Sequence, residues 1–238
     1  MKLLANGCSF TAGTDSTQEK QRYNIDVSWA KYLADSFNMD YFNIATPGEG
    51  NEYIYMSTVD WVSKNSTNDL FVCILWSGFE RFLTWDNDEH KSHSLYSITM
   101  RPTSTFAKSY VESKALMENY EYLIYKNLFY IYMTAVFLER YNIKYCFMNA
   151  FDGFVNPDNI SNKKIKELYI TLLKTYNERI PKHLGFSNHS EMYSPYLREV
   201  LKIPNAPYGT KTHWGEDGQT AYANLLQKHI EQNDILGN

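Results

Sequence analysis

Lys2-Leu3-Leu4-Ala5-Asn6-Gly7-Cys8-Ser9-Phe10-Thr11-Ala12-Gly13 decides the architecture. A short apolar run breaks at Asn6-Gly7 into a turn of small residues that carries a hydroxyl. A continuous apolar run of this length, bounded by turn residues, reads as a strand buried on both faces. Three further runs of the same kind occupy 41–45, 70–76 and 144–149. Helical spacing lies between them. Ser28 is placed to cap a helix over 29–37, where Trp29, Tyr32, Leu33 and Phe37 recur on one face. Asn51 is placed to cap a second helix through 62. Aromatic-rich 115–141, then 165–176 and 218–230, complete the series. Strands alternating with helices give a three-layer α/β/α sandwich around a mostly parallel, flavodoxin-like sheet, which binds ligands at the carboxyl ends of its strands.

The 238 residues, 44% apolar and 21% charged, suit one globular domain with a sizeable core. No repeat, low-complexity tract or Pro/Gly-rich linker divides 1–238. The stretch 79–114 has no clear periodicity and reads as an irregular insertion; a loop that long in a compact domain is usually a functional lid or disordered. The net charge of -4 comes from dispersed residues, so nothing in the chain attracts nucleic acid or an anionic membrane surface. The opening apolar run stops too early for a signal peptide, and no membrane-spanning run occurs. An odd cysteine count (Cys8, Cys73, Cys146) fits free thiols in a reducing, cytoplasmic compartment. The 20 tyrosines read first as packing residues, with some available to line a sugar-binding cleft.

Four segments concentrate polar chemistry at the expected strand ends. Ser9 follows the first strand; the bland alternative is a structural turn or helix-cap serine. After the second strand comes Asn43-Ile44-Ala45-Thr46-Pro47-Gly48-Glu49-Gly50-Asn51, whose glycines allow backbone N–H groups to approach a ligand closely. It has neither the spacing nor the lysine of a Walker phosphate loop. The third strand ends in Trp76-Ser77-Gly78-Phe79-Glu80-Arg81. Near the C-terminus, Thr212-His213-Trp214-Gly215-Glu216-Asp217-Gly218 precedes the last helix, which puts His213 on a loop. A metal is suggested only by Asp86-Asn87-Asp88-Glu89-His90-Lys91-Ser92-His93, which reads more simply as a solvated polar loop.

In this order the four segments resemble the SGNH (GDSL-type) hydrolases, especially their divergent phage and bacterial branch, over nearly the whole chain. The resemblance implies that Ser9 is the nucleophile, with Gly7-Cys8-Ser9-Phe10 standing where the family has Gly-Asp-Ser-Leu. It also implies that Gly48 supplies an oxyanion-hole N–H and that His213 is the catalytic base. The implied chemistry is hydrolysis of a small or carbohydrate-linked ester without cofactor or metal. Two slots depart from the family pattern. Glu80 stands where the family has an asparagine donor, and an ionised carboxylate cannot donate, which leaves Asn51, Ser77 or Arg81 for that role. Thr210 stands where the acid lies three residues before the histidine. Asp217, Glu216 or a backbone carbonyl would then orient His213, or a Ser-His dyad operates. The same departures suit a second reading, a catalytically degenerate carbohydrate-binding or structural module.

Overall fold

Seven consecutive residues, Leu70–Trp76, are buried, which only a strand in the middle of a sheet covered on both sides can achieve. In the computed structural model, the described residues are 1–13, 25–79, 81–86, 89–94, 109, 113, 120–150, 156–180, 183–186 and 216–237. Strand β1 (Lys2–Gly7), β2 (Asp40–Asn43), β3 (Leu70–Trp76), β6 (Lys144–Asn149) and β7 (Leu184–Phe186) form one sheet in the order β2-β1-β3-β6-β7. Every neighbouring pair in it is parallel. This is the flavodoxin-like order, and the three-layer α/β/α class read from the sequence is the observed one.

Alternation along the strands sorts the core into two halves. Leu3, Ala5, Phe71, Cys73, Leu75, Cys146 and Met148 point to one face. There they meet Trp29, Ala30 and Leu33 of α2 (Trp29–Ser36) and Tyr222, Leu226 and Ile230 of α6 (Glu216–Gln232). On the other face Leu4, Val72, Ile74, Trp76, Tyr145 and Phe147 pack against α3 (Asn51–Lys64), α4 (Tyr120–Arg140) and α5 (Lys163–Arg179). Both faces of each central strand are apolar for this reason, which is why the runs look continuous instead of alternating.

Three local expectations change. Ser28 does cap α2, accepting from the Ala30 N–H at 3.2 Å, but the cap of α3 is Gly50, and Asn51 is its first helical residue. The fifth strand, β7, has no apolar run of its own and was not expected. Within the stretch read as irregular, β4 (Arg81–Asp86) and β5 (Glu89–Ser94) pair as an antiparallel hairpin from Arg81 opposite Ser94 to Asp86 opposite Glu89. Of the polar Asp86 to His93 stretch, Asp86 therefore ends the first strand of a hairpin and Glu89 to His93 lie in the second. Among the described residues, no helix is long and apolar enough to cross a membrane.

Candidate active site

Since the sheet strands are all parallel, their carboxyl ends share one edge. The chain passes from β1 to β2 on one side and then to β3 on the other, which makes the end of β1 the switch point. Ser9 lies there, two residues past Gly7, as the first residue of the single-turn helix α1 (Ser9–Ala12). Gly7 is demanded by close approach. Its φ is +155°, and a Cβ there would lie 2.4 Å from Thr11 Oγ1 and 2.7 Å from the Leu75 carbonyl. Ser9 is 9% exposed, at the rim of the core, while Cys8 is wholly buried, as expected for the neighbour that points inward.

A helix of one turn leaves its carbonyls without internal partners, and here other segments supply them. The Thr11 carbonyl accepts from Ser28 Oγ at 2.8 Å and Asn43 Nδ2 at 2.7 Å, and the Phe10 carbonyl accepts from Gln219 Nε2 at 3.3 Å. Gln219 Oε1 also accepts from the Trp29 N–H at 2.8 Å. Three segments therefore hold the turn that carries Ser9. Asn6, wholly buried at the end of β1, fixes the other side. Its Nδ2 lies 3.0 Å from the Ile54 carbonyl, 2.9 Å from Ser57 Oγ and 2.8 Å from Thr58 Oγ1, and its Oδ1 accepts the Gly7 N–H at 2.8 Å.

The second loop is tied directly to the first, because the Thr46 N–H donates to the Gly7 carbonyl at 3.3 Å. Thr46-Pro47-Gly48-Glu49 then turns back, with the Glu49 N–H donating to the Thr46 carbonyl at 3.4 Å. Proline second and a glycine at φ +85° third are the requirements of a type II turn. Gly48 is exposed, and nothing would touch a Cβ there within 4 Å, so conformation and not space selects the glycine. At Gly50 the reason is contact, since a Cβ would come within 2.9 Å of Arg81 Cβ.

The three side chains expected to offer a second donor have separate fates. Asn51 is 2% exposed and clamps the end of β3: its Nδ2 donates to the Ser77 carbonyl at 3.0 Å, and its Oδ1 accepts the Ser77 N–H at 2.7 Å. Asn51 therefore positions the end of β3. Half-buried Arg81 donates through Nη1 to the Glu49 carbonyl at 3.0 Å, which joins the hairpin to the Gly48 turn. Ser77 is buried, and its Oγ has no partner among the described residues.

His213, Glu80 and Thr210 lie outside the described residues. Glu216 and Asp217 are exposed in the first turn of α6. The Glu216 carboxylate accepts from Tyr32 Oη at 2.9 Å. Burial first, and that carboxylate second, raise the Tyr32 phenol pKa. All three cysteines are buried and outside any disulfide, and burial pushes the Cys73 thiol well up. Among the described residues, no three His, Cys, Asp or Glu side chains are gathered as a metal site would need. The positioning residues Asn6, Asn43 and Gln219 escape a motif-based reading; the one local signal was a polar residue set directly against an apolar run, as Asn6 is against Ala5.

No protein-family model matches the chain, and no curated protein matches it. Among solved structures, the psychrotrophic esterase EstA from Pseudoalteromonas sp. superposes with a TM-score of 0.52 at 11% identity over 97% of each chain. A protein assigned to the lipolytic G-D-S-L family from Desulfitobacterium hafniense gives 0.52 at 12% identity, covering 96% of this chain and 98% of its own. The acetyl xylan esterase AlAXEase gives 0.50 at 14% identity over 97% and 100%. With its parallel β2-β1-β3-β6-β7 sheet and these relatives in shape, the chain has the SGNH (GDSL-type) hydrolase fold.

Proposed function

We propose that the protein is a serine ester hydrolase acting on a small or carbohydrate-linked ester, with Ser9 as its nucleophile and His213 as its base. The observation that carries this reading is the turn of Ser9. It stands at the switch point of the sheet, is pinned by Ser28, Asn43 and Gln219, and is joined through the Thr46 N–H to the Gly48 turn. Such immobility is what nucleophilic catalysis requires of its reacting oxygen. Further support comes from the solved structures of like fold, which include an esterase and an acetyl xylan esterase.

In this mechanism His213 takes the proton of the Ser9 hydroxyl as Oγ attacks the ester carbonyl. The oxyanion that forms accepts from the backbone N–H groups of Ser9 and Gly48. Protonated His213 returns the proton to the departing alcohol. Water, activated by the same imidazole, then releases the acid and restores Ser9. Asp217 is the acid assigned to orient His213, and without it the pair acts as a dyad.

The test combines turnover of p-nitrophenyl acetate with labelling by a fluorophosphonate probe. Ser9→Ala should abolish labelling and lower kcat/KM by at least about a thousandfold while leaving the far-UV spectrum and melting temperature near those of the parent. A parent protein that neither turns over nor labels ends this proposal. Glu80 and Thr210, in the slots of the family's asparagine and acid, favour a second reading as a binding module without turnover. Glycan binding of equal strength in the parent and Ser9→Ala, with no hydrolysis by either, would establish that alternative.

A further inference from the structure

The two helical layers present different outer surfaces. Of the ten large apolar side chains exposed among the described residues, six belong to α3, α4 and α5 and none to α2 or α6. On α4 the outward residues follow a rule. Tyr122, Lys126, Phe129, Met133, Val136 and Arg140 are spaced alternately four and three apart, the seam spacing of a coiled coil. This stripe lies opposite the side buried through Leu128, Ile131 and Ala135. Tyr122 is 46% and Phe129 41% exposed, and Met133 and Val136 are half-buried. Three of the four charges on α4 turn to its neighbours: Glu121 to Ser161, Lys126 to Glu52 at 3.0 Å, and Glu139 to Arg179. Arg140 is exposed at the end of the stripe. A contiguous apolar surface of this kind marks an interaction site.

The neighbouring helices widen the stripe at its middle. Lys126 meets Glu52, and the Tyr130 ring stacks on that of Tyr55 at 5.5 Å, which sets exposed Met56 beside the centre of α4. On the other flank, Glu121 meets Ser161 and Glu139 meets Arg179, so α5 runs alongside α4 with a constant offset of 40 positions. Leu168 is thereby level with Leu128 and Phe129. It precedes Arg179 by three helical turns, on the flank of α5 that faces α4, and is 44% exposed. Met56, Phe129 and Leu168 therefore form one row across three helices.

We infer that this face binds a second copy of the chain, with the two α4 helices antiparallel about a twofold axis level with Ile131. The stripe maps onto itself under that rotation. Phe129 stands against the partner subunit's Met133, Lys126 against the partner subunit's Val136, and Tyr122 against the partner subunit's Arg140. Sulfur beside a ring and a guanidinium over a ring are both favourable pairs. Lys126 lays its stem along the seam while its ammonium stays with Glu52. Such self-complementarity is what an isologous contact requires, and an unrelated partner would not select for it. The same axis sets Met56 and Leu168 each against its own copy. Residues 122 to 140 rise about 27 Å along α4, and three helices about 9 Å apart make the face equally wide. The resulting area, roughly 700 Å², is close to what each partner buries in a stable interface.

The test is sedimentation velocity of the full chain over a range of concentrations, which should show a species of twice the chain mass. Phe129→Glu and Leu168→Glu should each weaken association about tenfold or more with an unchanged far-UV spectrum, the second because it sets two carboxylates against each other. Should Phe129→Glu fail to fold, Leu168→Glu alone decides. For orientation, Tyr122→Cys protein is mixed with Arg140→Cys protein and treated with a short bismaleimide, from which buried Cys8, Cys73 and Cys146 are shielded. The mixture should cross-link. Tyr122→Cys alone should not, since its two copies stand about 27 Å apart along the helices. A parent that is monomeric throughout, a dimer that survives both glutamate variants, or cross-linking of Tyr122→Cys by itself would overturn the assignment. So would a monomeric parent that binds phosphatidylcholine vesicles, which would give the face to a lipid surface. Ester hydrolysis by a monomer would sink the dimer alone and leave the hydrolase reading standing.

Discussion

At the scale of single residues, the candidate site depends on amides that hold backbone. Asn51 answers both the N–H and the carbonyl of Ser77 from a position with almost no access to solvent. Replacing it with leucine keeps the bulk and orphans two buried backbone groups, a loss of about 2–4 kcal/mol that urea unfolding would register. A variant as stable as the parent would show that Ser77 finds other partners. The two glycines of the adjacent loop should fail differently. Gly48→Ala meets no atom but must hold φ at +85°, a cost of about 1–2 kcal/mol. Gly50→Ala instead drives its methyl against Arg81 Cβ, so adding Arg81→Gly, which deletes that carbon, should recover part of the lost stability. A double-mutant cycle reads this directly, and strict additivity would refute the contact.

At the scale of elements, the junction of α4 and α5 has a pH-dependent fastening. Glu121, in the first turn of α4, accepts from the Ser161 N–H at 2.6 Å, from Ser161 Oγ at 2.5 Å and from the Asn162 N–H at 2.9 Å. Asn162 in turn caps α5 through the Ile165 N–H at 3.1 Å. The Ser161 hydroxyl, followed by the two backbone N–H groups, holds the Glu121 carboxyl below the ordinary glutamate range. A carboxyl depressed by folding contributes stability that is fully present above its unfolded value of about 4.3 and is lost as the pH falls through the folded value. The melting-temperature advantage of the parent over Glu121→Gln should therefore be constant near neutrality and shrink in acid. An advantage independent of pH would mean that the charge contributes nothing.

At the scale of the whole molecule, two apolar layers share one sheet, with Leu75 and Cys73 facing one layer and Ile74 and Trp76 the other. Neither layer can be lost while the other survives, because both are anchored on the same strands. Urea unfolding followed by tryptophan fluorescence and by far-UV circular dichroism should give one coincident transition. Two resolved transitions would identify a separable unit and contradict a single domain. The identities of 11–14% to solved structures of the same shape fit this view, since a doubly covered sheet asks for apolar bulk at alternating positions more than for particular residues.

By itself the sequence determined the class of fold and which runs form its central strands. Uninterrupted apolar runs such as 70–76 and 144–149 have no other stable home than the middle of a parallel sheet, and helical spacing between them supplies the covering layers. It also marked Ser9, Gly48 and Ser77 as strand-end residues, because position at a strand end is a local property. Tertiary structure alone decided what those neighbours do. Asn51 clamps the end of β3 because Ser77, 26 positions away, brings it a paired N–H and carbonyl. Gln219 reaches the Ser9 turn across 209 positions, and β7 exists only because β6 offers it an edge. Hydrogen bonds between distant segments leave no periodic trace in the chain, and only packing brings their partners within reach.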